Sequence, residues 1–192
     1  MSSLRYQLPV ERLLTNTMKL ILTLTLLSFT FCSRSQADKS SQLTSLVKEN
    51  YKIEYPKSWT LDTSGLVGSE LFVFSPLEND TDKFKENVSL IIQNLAGQNI
   101  DLDKYKEISE KQIASMAANG KLFESSKAQT EKGNFYRLRY AMNQGNFKLI
   151  ITSYCYIKDE KAYLITFTSE IDKYERYKKT GDKILDSFQF RK

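Results

Sequence analysis

The sequence predicts an α+β fold in which an antiparallel β-sheet is sandwiched by helices. Short stretches that alternate apolar and polar residues dominate the chain, and two longer segments switch to helical periodicity. Tight turns join the later strands, one at Lys132 and Gly133 and the next at residues 144–146, so neighbouring strands run antiparallel. Residues 86–95 carry apolar side chains on both faces, which is typical of a central strand covered on two sides. These patterns place helices against an antiparallel sheet.

Eight strands are predicted from alternating patterns that end at proline, glycine or polar turns. The first ends at Pro56 and the third ends just before Pro76, because proline lacks the N–H that a sheet interior uses. The predicted strands cover residues 51–55, 59–61, 70–75, 86–95, 121–130, 134–142, 146–157 and 162–169.

Two helices are predicted. Residues 101–118 place apolar side chains at helical spacing, with Asp101 as the N-cap and Asn119 and Gly120 as a left-handed exit. The second helix begins where residues 172–175 fit a capping box. Its apolar face is predicted to consist of Tyr174, Tyr177, Gly181, Ile184, Leu185 and Phe188.

The beginning of the chain has the layout of a secretory signal. Lys19 precedes an apolar run of 12 residues, 20–31, which is shorter than the about 20 residues that a membrane-spanning helix needs. Export is therefore expected, with the true start at Met1 or at Met18. Cys32 follows the run directly, as in bacterial lipoprotein signals, and this predicts lipidation of Cys32. Such signals carry a small residue where this chain has Phe31, so an incidental cysteine beside an ordinary cleavage site is the alternative.

Three segments follow from this pattern. Residues 1–32 are the predicted leader and signal peptide, residues 33–48 a Ser-rich flexible tether, and residues 49–192 a single domain. The net charge of +5 falls to +3 without residues 1–32, which hold three basic and one acidic side chain. Because Lys and Glu are mixed along the domain, the charge predicts a solvated surface and no nucleic-acid partner.

The amino-acid composition excludes most of the common types of catalytic site. The chain has no His, which excludes Ser-His-Asp and Cys-His activation and His-supported metal sites. Cys155 is expected to be a buried apolar residue. Residues 78–82 alternate oxygen-bearing side chains as calcium loops do, but lack the required Gly and Glu, so a polar solvated loop is expected. No catalytic residue, cofactor or metal ligand is predicted, and a carboxylate-dependent hydrolase is the weakest alternative.

The aromatic residues and two arginines offer a partner surface. Tyr154 and Tyr156 share one face of a predicted strand, and Arg137 and Arg139 share one side of the preceding hairpin. A partly exposed aromatic and basic surface for a protein partner is one interpretation. The alternative is that the tyrosines form core beneath a helix and that the arginines are solvated edge charges.

Residues 51–190 contain a series of motifs in fixed order: Tyr51-x-Ile-x-Tyr-Pro-x-x-Trp59, Phe72-Val-Phe-Ser-Pro76, Phe84-Lys-Glu-Asn-Val-Ser-Leu90, Gly133-Asn-Phe-Tyr-Arg-Leu-Arg-Tyr140, Lys161-Ala-Tyr-Leu-Ile-Thr166 and Ile184-Leu-Asp-Ser-Phe188. Together these motifs resemble the PsbP-like family, the PsbP and DcrB type of small exported α/β domain. The resemblance implies a sheet sandwiched by helices and protein contacts that support a membrane complex.

These observations predict a non-enzymatic exported protein of a bacterial cell envelope, lipid-anchored through Cys32 and acting as an accessory or binding module. Its expected partners are the membrane, through that anchor, and an envelope protein. It would lie in the periplasm or attached to a membrane. The alternative function is a periplasmic carrier with an apolar pocket between sheet and helix for a small hydrophobic ligand.

Overall fold

Strands form most of the regular structure in this computed structural model, which describes residues 42–116 and 121–191. They are β1 (Leu43–Val47), β2 (Tyr51–Pro56), β3 (Thr60–Asp62), β4 (Leu71–Phe74), β5 (Asn87–Asn94), β6 (Lys121–Thr130), β7 (Gly133–Gln144), β8 (Phe147–Lys158), β9 (Lys161–Glu170) and β10 (Gln189–Phe190). The helices are α1 (Leu102–Met116) and α2 (Tyr174–Ser187), with 3₁₀ turns at Leu66–Gly68 and Ile171–Lys173.

The described strands form two antiparallel sheets. The larger has seven strands in the order β3-β4-β5-β9-β8-β7-β6, and the smaller has three in the order β1-β2-β10. Every predicted strand is confirmed to within two residues of its predicted ends. In the large sheet β5 and β9 lie between β4 and β8, which agrees with the central position predicted for residues 86–95.

The two faces of the large sheet carry different cores. On β8, Tyr154 and Tyr156 belong to the larger core, which also contains apolar side chains of β2 and α2. Cys155 points to the opposite face and packs with Tyr105 of α1. The α+β class is confirmed. The predicted sandwich of the sheet between helices is confirmed in part, because α2 covers one face of the large sheet together with the small sheet.

The predicted N-cap of α1 is confirmed, whereas the predicted start of α2 is not. Asp101 caps α1 as predicted, since its Oδ1 accepts a hydrogen bond of 2.7 Å from the Lys104 backbone N–H. Asn119 and Gly120 lie outside the described residues. The capping box predicted at residues 172–175 is wrong: α2 begins after Lys173 with no side-chain cap, because a 3₁₀ turn leads into the helix from β9.

The predicted tether is wrong at its end, where residues 43–47 form strand β1. This strand buries little apolar surface, which is why composition predicted a tether. Its backbone pairs antiparallel with β2, from Leu43 opposite Pro56 to Val47 opposite Lys52. Hydrogen bonding to an adjacent strand therefore orders it. Residues 33–41 lie outside the described residues, so that part of the tether stays a prediction.

The described helices do not include a membrane span. Neither α1 nor α2 combines the length and apolarity needed to cross a bilayer.

Candidate binding surface

Arg137 and Arg139, two of the predicted partner-surface residues, lie two positions apart on β7 and face the same side of the sheet. This is the side of α2, since Arg137 pairs in register with Tyr154 of the larger core. Glu124 of β6 lies between the arginines. Its carboxylate oxygens are 3.8 Å from Arg137 Nε and 3.9 Å from Arg139 Nη2. The structure thus places both cations and one carboxylate on the border between α2 and the sheet edge.

Arg137 also contacts helix α2 from this border. Its guanidinium lies 3.6 Å from Asp182 Oδ1 and 5.8 Å from the centre of the Tyr154 ring. Lys178 forms a further ion pair with Asp182. Arg137 Nε and Asp182 Oδ1 are buried and have no hydrogen-bond partner among the described residues. The border therefore holds hydrogen-bonding groups that this part of the chain does not satisfy.

Tyr154 and Tyr156 are not exposed, so the structure corrects the predicted aromatic half of the partner surface. Their exposed fractions are 4% and 3%, and both rings pack against Phe135 in a tilted arrangement. The Tyr154 hydroxyl donates a 2.9 Å hydrogen bond to Asp186 Oδ1 of α2, which satisfies its polar end. Burial raises the pKa of both tyrosines. They form the core beneath α2, which was the alternative interpretation.

A basic groove of about 530 Å³ lies beside this border, and the sequence interpretation did not identify it. Three cations line it: Lys132, Lys158 and Arg191. Lys132 donates to a backbone carbonyl at the end of α2, and Arg191 Nη1 donates 2.7 Å to the Lys48 carbonyl. Lys158 Nζ lies 4.9 Å from the centre of the Phe190 ring. The groove therefore combines positioned cations with an aromatic face.

The signal for this groove is weak in the sequence. Its residues come from the β6–β7 turn, the end of β8 and the last residues of the chain. Glu131 is the acidic side chain among the described lining residues. Each cation looks like an ordinary solvated lysine or arginine until the fold brings the three segments together.

A second polar cluster surrounds Lys173, at the start of α2. Lys173 Nζ lies 2.6 Å from Asp82 Oδ1, 2.7 Å from Glu170 Oε2 and 3.9 Å from Glu86 Oε1. Glu86 is completely buried, and Ser75 donates a 3.4 Å hydrogen bond to its other oxygen. The predicted polar loop thus directs Asp82 inward as a partner for lysine. Within residues 42–116 and 121–191, no group of three or more Cys, Asp or Glu side chains is arranged to hold a metal ion.

Hydrogen bonds lower the pKa of Asp82 below the ordinary value for an aspartate. Donation from the Glu78 backbone N–H at 3.0 Å, then from Lys173, lowers the pKa of Asp82 to about 2. Burial raises the pKa of the neighbouring Glu86. The two pKa shifts make the stability of the fold depend on pH in opposite directions. Asp82 stabilises the fold above its unfolded pKa of about 4 and loses this contribution as pH falls. Glu86 stabilises the fold below its own unfolded pKa and loses this contribution as pH rises.

Asp82→Asn is expected to lower the free energy of unfolding at pH 7 by about 1.5–3 kcal/mol, because Lys173 loses a charged hydrogen bond. The difference from the unmodified protein should shrink as pH falls from about 4 towards about 2, where Asp82 becomes protonated in both states. Urea unfolding of both proteins at several pH values measures it. Asp80→Asn, an exposed change in the same loop, is the control. A difference that does not vary with pH would contradict the role assigned to the Asp82 charge.

Comparison with protein families decides the relationship. The sequence model of the PsbP family matches residues 43–190, which is nearly all of the described chain. The chain belongs to the PsbP family. The match begins at β1, so the domain starts before residue 49, where the sequence placed its boundary. Comparison with curated protein sequences gives no match.

The solved structures that share the fold of this PsbP domain include CyanoP and LpqN. Cyanobacterial PsbP (CyanoP) from Synechocystis sp. PCC 6803 is 18% identical, with a TM-score of 0.55, covering 78% of this chain and 92% of that one. LpqN of Mycobacterium tuberculosis, described as involved in cell envelope biogenesis, is 11% identical, with a TM-score of 0.57, covering 79% of this chain and 91% of that one. At such identities these structures show the fold alone.

The other face of the PsbP domain has a small cavity between α1 and the sheet, of about 210 Å³. Polar side chains line much of it, among them Gln93, which accepts a 2.6 Å hydrogen bond from the Tyr105 hydroxyl. Cys155 is buried behind α1 as predicted, and burial raises the pKa of its thiol to about 12. Cys32, the predicted lipidation site, lies outside the described residues.

Proposed function

We propose that this PsbP-family protein is a non-catalytic binding module of the bacterial cell envelope, exported and held at a membrane by a lipid on Cys32. The observation that carries the proposal is the order of segments. A basic residue, a short apolar run and Cys32 precede a PsbP domain that begins at residue 43. At most about 35 Å of chain, residues 33–42 fully extended, would then separate the membrane from the domain.

The surface of the domain supports binding more than catalysis. The chain has no His, so the commonest general base is missing, whereas the basic groove offers three cations beside an aromatic ring. A groove of this charge suits an acidic segment of an envelope protein. The envelope role described for LpqN, a protein of the same fold, agrees with this proposal.

The anchor is tested by mass analysis of the mature protein from cells. The expected result is a diacylglycerol-modified Cys32 at the new N-terminus and recovery of the protein with the membranes. Cys32→Ser should release it into the soluble fraction, whereas Cys155→Ser, the matched change at the other cysteine, should leave it on the membrane. An unmodified N-terminus beyond residue 32 would refute the lipid anchor.

The binding role is tested separately, by cross-linking in intact cells. An envelope protein recovered reproducibly with the wild-type chain supports the role, and a purified chain that turns over a substrate with no partner recovered would refute it.

A carrier of a small hydrophobic ligand is the second candidate, because the cavity between α1 and the sheet is placed as a carrier pocket would be. Its volume of about 210 Å³ is smaller than the about 300–1,000 Å³ of typical ligand sites, and its lining is partly polar. The binding module is therefore favoured. Native mass spectrometry after gentle extraction discriminates between them, since a carrier would keep a bound lipid.

A further inference from the structure

The four strands at the edges of the described sheets differ in how they are protected. Edge strands tend to pair with other chains unless they are short, charged or bulged. β6 has an irregular register between Leu122 and Glu124 and carries charged side chains. β3 has three residues, one of them Asp62, and β10 has two residues. β1, with the sequence Leu-Thr-Ser-Leu-Val, has no charge, proline or bulge.

The hydrogen bonds of β1 to β2 show which backbone groups point outward. The Lys48 N–H donates 2.9 Å to the Tyr51 carbonyl, and the Lys57 N–H donates 2.8 Å to the Gln42 carbonyl. The backbone groups of the even-numbered residues, Thr44 and Leu46, therefore point towards β2, because the direction of hydrogen bonding alternates along an antiparallel strand. The N–H and carbonyl groups of Leu43, Ser45 and Val47 point to the outer edge, where no described strand lies.

The side chains of the same three residues are also uncovered. Leu43 is 46% exposed and Val47 is 51% exposed, and both lie on the outer face of the small sheet with Ser45 between them. Leu46, on the other face, packs against the larger core. One face and one edge of β1 thus contact the domain, while no described residue pairs with its other edge and Leu43 and Val47 are exposed on its other face.

We infer that two copies of this chain pair through β1, antiparallel, with Ser45 on the two-fold axis. In that register Ser45 lies opposite Ser45 of the second copy, and Leu43 lies opposite Val47 in both directions. Each of these pairs consists of residues whose backbone groups point outward, so the pairs exchange N–H and carbonyl bonds. The exposed Leu43 and Val47 side chains become cross-strand neighbours and cover each other.

The symmetry of the strand favours a second copy over an unrelated peptide. A two-fold interface requires a patch that is complementary to itself, and β1 meets this because its apolar residues lie two positions either side of Ser45. The pairing joins the two small sheets into one sheet of six strands. A strand of five residues is a small interface, so association is expected to be weak in dilute solution and stronger where copies are concentrated. The inference does not depend on the lipid anchor.

Single cysteine substitutions in the full chain test the register. Across a hydrogen-bonded antiparallel pair the Cα atoms are about 5.5 Å apart, within the range that a disulfide spans. Ser45→Cys should therefore give a cross-linked dimer on mild oxidation. Leu43→Cys and Val47→Cys should not cross-link alone, because each residue lies about 13 Å from its own counterpart. The two variants expressed together should cross-link with each other. The wild-type chain controls for Cys32 and Cys155.

Two further variants separate pairing from folding. Ser45→Pro removes an N–H that β2 does not use, so the domain should unfold at nearly the same temperature while the concentration-dependent dimer in sedimentation disappears. Ser45→Ala keeps the N–H and should still dimerise. Cross-linking at all three single positions would indicate a parallel or non-specific contact and would overturn the inference. So would the absence of cross-links, or cross-links only to a different protein.

Discussion

Phe188→Ala is expected to lower the free energy of unfolding by about 3–5 kcal/mol, the usual loss for a fully buried phenylalanine. Phe188 is 1% exposed and follows the last turn of α2. Its ring centre lies 5.7 Å from that of Tyr51 in the small sheet and 5.5 Å from that of Tyr156 in the large sheet. Phe190 contacts it edge-on at 5.3 Å. Truncation would therefore leave a cavity where both sheets and α2 meet, a place that cannot collapse without moving one of them.

Urea-induced unfolding of the purified chain measures this loss. Phe123→Ala is a suitable control, since Phe123 is 43% exposed on the edge strand β6 and should change stability by about 0.5 kcal/mol or less. A loss of less than about 1.5 kcal/mol for Phe188→Ala would show that the two sheets are not held together by this ring.

Gly181→Ala is expected to destabilise the protein by about 1–3 kcal/mol, the range for overpacking a core. Alanine normally stabilises an exposed helix relative to glycine by about 1 kcal/mol. Here a Cβ would lie 2.5 Å from two ring carbons of Phe167, a side chain that is itself completely buried. The ring has no free space to move into, so the steric overlap outweighs the gain in helix propensity.

A double-mutant cycle identifies the cause. In a Phe167→Leu background the ring is absent, so Gly181→Ala should lose most of its unfavourable effect. Comparing Lys179→Ala with Lys179→Gly, at an exposed position of α2, measures the helix-propensity difference between alanine and glycine without the overlap. An equal effect of Gly181→Ala in both backgrounds would contradict a clash with Phe167.

Hydrophobic periodicity in the sequence predicted the strands and helices that have at least one buried face. The strands from residue 51 to residue 170 were predicted within two residues of their ends, and the predicted apolar face of α2 holds its buried residues, including Tyr174 and Ile184. Alternation and helical spacing are properties of neighbouring residues, so they are visible without the fold. β1 was missed because it is ordered by backbone pairing and has no strong burial pattern of its own.

The candidate site was less predictable than the fold. Alternation placed Arg137 and Arg139 on one side of β7, but could not show that Tyr154 and Tyr156 are covered by Phe135 and α2. Periodicity identifies the face to which a side chain points, and says nothing of what packs on that face. The sequence therefore allowed two interpretations of Tyr154 and Tyr156, an exposed partner surface or a buried core, and only the packing of the fold decided between them.

The sequence by itself determined the PsbP-like fold class and the order of most strands and helices, because both depend on residues close together in the chain. The leader ending at Cys32 stays a prediction from the sequence. Tertiary structure alone decided what depends on distant residues. β10 joins β2 from the far end of the chain, Gly181 approaches Phe167, and Lys132, Lys158 and Arg191 converge on one groove. Such contacts form between segments whose local sequences carry no sign of each other, so they become visible only when the sheets and α2 have packed.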